Sequence, residues 1–389
     1  MKIYPNVTES DKEIQSSFIP RPADWTLTLD DLEERVDGIR ALKHMDIEFA
    51  PNDLIDTGFS QYPCEHNCPR CFNKDEVYSD SKKLLKHDEV LFVLKDAQEI
   101  GLESVKFLGP GEFLENPEMF LILDKLSEMG LNISIFTKGA ELADDSLSQK
   151  YQGINSRELV ERLTSYDIVR IILGCDTFDS ELQQRLIGTK IKDYALKRNI
   201  AIERLVDAGL TKDLQRLTFV STGLDPEYVD CAVEVYLWAA KRNIPTITAP
   251  SMDSGKGKRL TKQLTSYKGL NNVVNFYVQI YKAAIDNGFM TLNQIRQEGV
   301  SPYAASAPCN QVSGGLYLRL NGDVQLCPGR RDASTIYGNT HDTSIREIWV
   351  NSPNYKMGPK FNNWCPAKTR ILTNSVREKI LDELTDQTL

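Results

Sequence analysis

The chain is short of the features that mark membrane, secreted or nucleic-acid-binding proteins. No run of residues approaches the apolar length needed to span a bilayer. The opening Met1-Lys2-Ile3-Tyr4-Pro5-Asn6 contains no apolar segment of the kind that directs secretion. Positive charge is in deficit: 46 lysines and arginines face 55 aspartates and glutamates, for a net charge of −9. Nucleic-acid binding requires a basic face to neutralise phosphates, so that class is excluded. No period of 20–50 residues repeats, which excludes solenoids and propellers. What is present is an ordinary globular composition, 41% apolar and 26% charged, over 389 residues, enough for one large domain and a smaller one. Eight cysteines in a chain without a secretion signal read as metal ligands, since the cytosol keeps disulfides reduced. The expectation is a cytoplasmic protein with no nucleic-acid and no membrane partner.

Residues 1–53 form a polar extension with one predicted helix near Thr28–Val36, acidic at its start. From Leu54 to about Gly288, β-like and helical runs alternate. The predicted strands are 54–59, 104–108, 132–136, 168–173, 216–220 and 244–249. The predicted helices are 87–100, 117–129, 157–163, the stretch around 201–206, 228–242 and 272–286. Six β/α units imply a parallel sheet with right-handed crossovers, and chemistry at the C-terminal ends of the strands. Those ends are polar or glycine-rich: Gly109-Pro110-Gly111-Glu112, Thr137-Lys138-Gly139, Gly174-Cys175-Asp176, Ser221-Thr222-Gly223 and Pro250 to Arg259. The fold class is therefore α/β, a partial (β/α)6 TIM-like barrel over 54–290. A small C-terminal α+β domain over 291–389 consists of a β-hairpin plus helix. The hairpin is marked by Asn321-Gly322 and the helix by a capping box at Ser344–Glu347.

The first predicted strand feeds Cys64-Glu65-His66-Asn67-Cys68-Pro69-Arg70-Cys71, three thiols within eight residues and no fourth before Cys175. A closed zinc site needs four ligands, and His66 is the one near residue to complete it. Three thiolates instead suffice to hold three irons of a cubane cluster and leave the fourth iron open. The Cys-x3-Cys-x2-Cys spacing resembles that of the radical S-adenosylmethionine (SAM) superfamily, in which the open iron of a [4Fe-4S] cluster is chelated by SAM. Gly109, Gly111 and Glu112 resemble the family's Gly-Gly-Glu segment, which holds the methionine ammonium; Pro110 replaces a glycine and removes a backbone donor. Thr137-Lys138-Gly139 resembles its Thr-Asn-Gly turn, so Thr137 orients SAM and Lys138 meets its carboxylate, unless the lysine is simply solvated. Val169 to Cys175 resembles Val-Arg-Ile-Ser-Leu-Asp-Gly, with Ile172 for the serine, Gly174 for the aspartate and Asp176 as the substitute carboxylate. Cys175 either packs as a small apolar side chain or serves as a catalytic hydrogen-atom donor.

Further on, Cys309, the Asn-Gly hairpin, Cys327, Gly338-Asn339, Ser344 to Trp349 and Cys365 resemble the auxiliary-cluster module of SPASM and twitch enzymes. The resemblance implies an auxiliary iron–sulfur cluster on Cys309, Cys327 and Cys365, with a fourth ligand that is not cysteine. It also implies reductive cleavage of SAM to a 5′-deoxyadenosyl radical and abstraction of hydrogen from substrate. The outcome is net oxidation, epimerisation or bond formation, and the electron donor is of the flavodoxin or ferredoxin type. With an N-terminal segment too short for a leader-binding domain, the expected substrate is a small molecule. The cationic run Gly255-Lys256-Gly257-Lys258-Arg259 is the place for an anionic group on it, or else a solvated charge run. The alternatives are a radical SAM enzyme that modifies peptides and a non-catalytic zinc or iron–sulfur protein. A Rossmann methyltransferase would have a glycine-rich loop where this chain has cysteines.

Overall fold

The computed structural model describes residues 1–10, 27–59, 64–73, 84–212, 216–221, 228–249, 252–306, 309, 311–329, 333–359, 365 and 367–388. Thr222, Gly223, Pro250 and Ser251, singled out above at strand ends, lie outside these residues. A small hairpin, β1 (Arg35–Val36) and β2 (Ile39–Arg40), precedes one nine-stranded sheet. Its strands are β3 (His44–Ile47), β4 (Ser104–Phe107), β5 (Asn132–Thr137), β6 (Val169–Gly174), β7 (Leu217–Ser221), β8 (Thr246–Thr248), β9 (Gly315–Leu318), β10 (Asp323–Gln325) and β11 (Ile336–Asn339). The spatial order is β11-β10-β9-β3-β4-β5-β6-β7-β8. Strands β3 to β8 run parallel, in the open (β/α)6 arrangement expected.

Two departures from expectation concern the edge of this series. The first strand is His44–Ile47, within the segment 1–53 taken as an extension, while Asn52–Thr57 is a helix rather than a strand. Pro51 stands just ahead of that helix and Gly58 ends it with φ 76°. The strand was obscured because the residues on its face away from the helices are buried salt-linked groups: Asp46 lies 2.9 Å from Lys106 on β4 and 3.2 Å from His44. The C-terminal hairpin, for its part, extends the main sheet. β9 pairs parallel with β3, and β10 and β11 follow antiparallel. The hairpin turn is also longer than two residues, spanning Arg319 to Gly322, with the Gly322 amide donating to the Arg319 carbonyl at 3.0 Å.

Side chains alternate along each strand. Val105, Phe107, Ile133, Ile135, Val169, Ile171, Leu173, Leu217 and Phe219 belong to one core cluster with helices His87–Gln98, Met119–Glu128, Ser156–Ser165 and Tyr194–Asp207. The opposite face carries Lys106, Ser134, Arg170, Ile172 and Thr218. Ile172, Val220 and Ile247 form a separate apolar group there with Phe136, Tyr303 and Cys309. A second core joins helix Tyr267–Asp286 to helix Asn374–Thr388 through Val273, Phe276, Ile280, Ile380 and Leu384.

The Ser344 hydroxyl caps helix Ile345–Asn351 by accepting the Glu347 amide at 3.2 Å. That helix carries the fully buried Trp349, whose indole N–H donates to the Arg40 carbonyl at 2.7 Å, and the Arg40 guanidinium lies 4.9 Å from the ring centroid. Residues more than 300 apart are thus clamped together. Trp349→Ala is expected to cost about 3–5 kcal/mol, read as a fall in the urea unfolding midpoint.

Candidate functional site

One cavity opens at the C-terminal ends of the parallel strands. Its walls include Cys64, Cys68 and Cys71 from the cysteine loop, Gly109 to Phe113 after β4, Thr137 and Lys138 after β5, and Asp176 after β6. The three thiols and six of the residues read from the sequence as cofactor contacts (Gly109, Gly111, Glu112, Thr137, Lys138, Asp176) therefore meet in one place.

The cysteine loop is held by two segments remote from it in sequence. Glu65 pairs with Lys150 at 2.7 Å on helix Asp145–Gln152. Lys256 donates its amide to the Cys71 carbonyl at 3.0 Å and its ammonium to Asn67 at 3.0 Å. Gly255, with φ 51°, lies so close that a Cβ there would sit 2.4 Å from the Phe72 carbonyl oxygen, so only glycine fits. The cationic run consequently backs onto the outside of the loop, and residues 255–259 do not line the cavity. They form a separate cationic hollow, Asn67, Pro69, Lys256, Lys258, Arg259 and Lys262. Of the two readings of this run, a contact for a substrate anion and a solvated charge run, the structure shows only that its residues lie outside the cavity wall.

Glu112 is buried, and one of its carboxylate oxygens accepts the Lys138 amide at 2.8 Å. The other, Oε1, is buried without a hydrogen-bond partner. Burial pushes its pKa up, against the backbone amide and hydroxyl contacts of Lys138 and Thr137. Burial works in the opposite sense on Lys138, but Cys68, Asp176, Glu112 and Cys71 together outweigh it and hold the ammonium above its usual pKa. Lys138 lies over Gly174, where a Cβ would come 2.9 Å from its Nζ. Two of the departures from the family pattern, lysine at 138 and glycine at 174, thus occupy each other's space.

Asp176 faces the cavity and Cys175 does not. Cys175 is fully buried in the core cluster, and burial pushes its thiol up to about 11. Its assignment as a hydrogen-atom donor at the rim is corrected: alternation at the end of β6 turns it toward the helices. Asp176 is positioned by residues that no sequence pattern indicated. Gln183 Oε1 accepts the amides of Asp176 and Thr177 at 3.0 and 3.1 Å, and its Nε2 donates to Asp176 Oδ2 at 3.2 Å. The fully buried Arg198 donates to Gln183 Oε1 at 2.8 Å and to Asn199.

The second thiol set adjoins this cavity. Cys327 and Cys365 are buried with Val312, Leu326, Ala367 and Met252, and Cys309 packs beside Ile172, Phe136 and Val220. Phe136, Val220 and Met252 line the cavity as well. All three cysteines are free thiols, and burial raises the pKa of each, Cys309 to about 12. Buried thiols in this state are inert unless a metal deprotonates them. Three thiols in each set, without a fourth, suit an iron–sulfur cluster, whose thiolates sit on different irons.

Residues 61–239 match the family model of the radical SAM superfamily, and residues 309–373 match SPASM, an iron–sulfur cluster-binding domain. The chain belongs to the radical SAM superfamily and carries a SPASM domain; it is an enzyme of a class that uses [4Fe-4S] clusters and SAM. It is 23% identical over 276 residues to the "Probable GTP 3',8-cyclase" of Saccharolobus islandicus, covering 69% of this chain and 80% of that protein. To the protein of the same name from Methanococcus aeolicus it is 28% identical over 147 residues, 38% of this chain and 44% of that one. Among solved structures, AdoMet-bound anSMEcpe aligns with a TM-score of 0.53 at 15% identity, over 89% of this chain and 94% of that one. SuiB of Streptococcus suis bound to its precursor peptide SuiA aligns with a TM-score of 0.51 at 15% identity, over 82% and 67%. At these identities the structural likeness is one of fold. Among the described residues no helix is long and apolar enough to cross a membrane.

The Gln183 network carries a direct consequence. Gln183→Leu strands two buried backbone amides and part of Arg198, and is expected to cost about 3 kcal/mol or more, measured as a lower urea midpoint.

Proposed function

We propose that the cavity binds SAM on a [4Fe-4S] cluster held by Cys64, Cys68 and Cys71, and that the enzyme turns over a small molecule beside an auxiliary cluster held by Cys309, Cys327 and Cys365. When bound, these groups supply one-electron cleavage of SAM to methionine and a 5′-deoxyadenosyl radical, which abstracts a hydrogen atom from the substrate. The observation that carries the reading is convergence: three thiols, an under-satisfied carboxylate and a lysine share one cavity, and that cavity shares Phe136, Val220 and Met252 with the second thiol trio.

The roles of the chain's own groups follow from their chemistry. Glu112 Oε1, buried and without a partner, accepts a hydrogen bond from the ammonium of the methionine moiety. Lys138, held cationic by its acidic neighbours, pairs with the carboxylate. Gly109 and Gly111 allow the backbone after β4 to approach the ligand, and Thr137 and Asp176 offer polar contacts to its remaining groups. Phe49, Phe107 and Phe113 make the adjoining wall apolar, which excludes the water that would quench a radical. With Cys175 turned into the core, the thiols at this wall among the described residues are Cys64, Cys68 and Cys71, which the proposal commits to the cluster, so none is left to return a hydrogen atom. That favours net oxidation or bond formation over epimerisation, with the neighbouring second cluster positioned to take an electron.

The relatives named as GTP cyclases favour a small-molecule substrate. The solved neighbours with bound peptides support a second reading, a peptide substrate. The cationic hollow outside the cysteine loop suits an acidic one-electron donor such as a flavodoxin or ferredoxin.

Anaerobic reconstitution is expected to load about eight irons per chain, two four-iron clusters, and reduction with SAM present to release 5′-deoxyadenosine. Iron-loaded protein that forms no 5′-deoxyadenosine would refute the proposal, and about four irons would remove the auxiliary cluster. The double variant Lys258→Glu, Lys262→Glu is expected to slow reduction by flavodoxin about tenfold or more at low salt while leaving reduction by dithionite unchanged. Equal slowing with both reductants would count against docking at this face.

A further inference from the structure

Beside the cavity, three side chains are not used by the reading above. His66 comes from the middle of the cysteine loop, Glu115 from the 3-10 turn Phe113–Glu115 after β4, and Glu141 from the loop after β5. They are 4%, 8% and 0% exposed. One ligand atom from each lies within 4.8 Å of the others. Neither ring nitrogen of His66, neither carboxylate oxygen of Glu141, nor Oε1 of Glu115 has a hydrogen-bond partner. Buried polar atoms are nearly always paired, so three side chains that carry five orphans and bring one ligand atom each together call for a partner that is not a side chain.

We infer that His66, Glu115 and Glu141 form a binding site for one divalent transition-metal cation of the zinc or ferrous-iron type, distinct from both thiol trios. The donor set is one imidazole nitrogen with two carboxylates, a combination that zinc and ferrous iron accept. Calcium and magnesium prefer shells made wholly of oxygen. Charge supports the same assignment. Two neighbouring buried carboxylates repel each other and are poorly hydrated, whereas two carboxylates, a neutral imidazole and a divalent cation sum to zero. Burial accordingly raises the pKa of Glu141 well above the usual range and that of Glu115 to about 8 in the metal-free chain.

The position gives the cation a task. His66 lies two residues from both Cys64 and Cys68 and itself lines the cavity, while Glu115 and Glu141 follow the strands that carry Glu112 and Thr137. A cation bound here ties the cysteine loop to the rims of β4 and β5, fixing the thiols relative to Glu112 and Lys138. The site goes beyond the assignment of the thiol ligands and does not depend on it.

Zinc is the probe. The full chain, loaded with zinc and freed of excess by gel filtration, is expected to keep one zinc per chain beyond its cluster iron. X-ray absorption at the zinc edge is expected to report nitrogen and oxygen neighbours and no sulfur. Glu141→Gln is expected to bind zinc about tenfold or more weakly while its iron content is unchanged. Should that variant fail to fold, Glu115→Gln is read in the same way. No retained zinc, zinc with sulfur neighbours, or undiminished binding in the folded variant would each overturn the site and leave the two carboxyls as a proton-sharing pair.

Discussion

The rim of the parallel sheet gathers acidic groups around one cavity, and Lys138 is the ammonium set among them. Glu112, Asp176, Cys68 and Cys71 all act on it, and their combined pull exceeds the penalty of its own burial. Burial alone would lower the pKa of the lysine, and the neighbouring acidic groups reverse that shift. The space for the lysine exists because residue 174 has no side chain. Electrostatics and packing therefore meet at one pair of residues on adjacent strands, and the cavity keeps its polarity because of that pair.

The cysteine loop depends on contacts from elsewhere in the chain rather than on regular structure of its own. Glu65 with Lys150, and Gly255 and Lys256 with Cys71, Phe72 and Asn67, brace it. The bracing leaves the thiol side free and turns four cations outward, so one packing arrangement serves both the interior of the site and its approach from solvent.

The SPASM segment is part of the same sheet. β9 docks parallel on β3, Trp349 binds the Arg40 carbonyl, and Phe136, Val220 and Met252 touch both the cavity and the groups around Cys309, Cys327 and Cys365. Shared packing of this kind joins the cavity wall to the surroundings of the second thiol set.

Local patterns in the chain were enough for the cysteine spacing, the Gly-Pro-Gly-Glu and Thr-Lys-Gly strand ends and the alternation of β/α units, because each is written in residues that are neighbours in sequence. The strand His44–Ile47 was not legible: its polar positions are satisfied by Ser104 and Lys106, some 60 residues away, and a buried ion pair reads locally as a solvated one. Only the tertiary structure decided which of Cys175 and Asp176 meets the cavity, since a shift of one residue at a strand end reverses the face. It alone turned the cationic run outward, matched Lys138 to Gly174, and brought His66, Glu115 and Glu141 together from three loops. Those are properties of distances between remote residues, which parallel crossovers set and which no local spacing encodes.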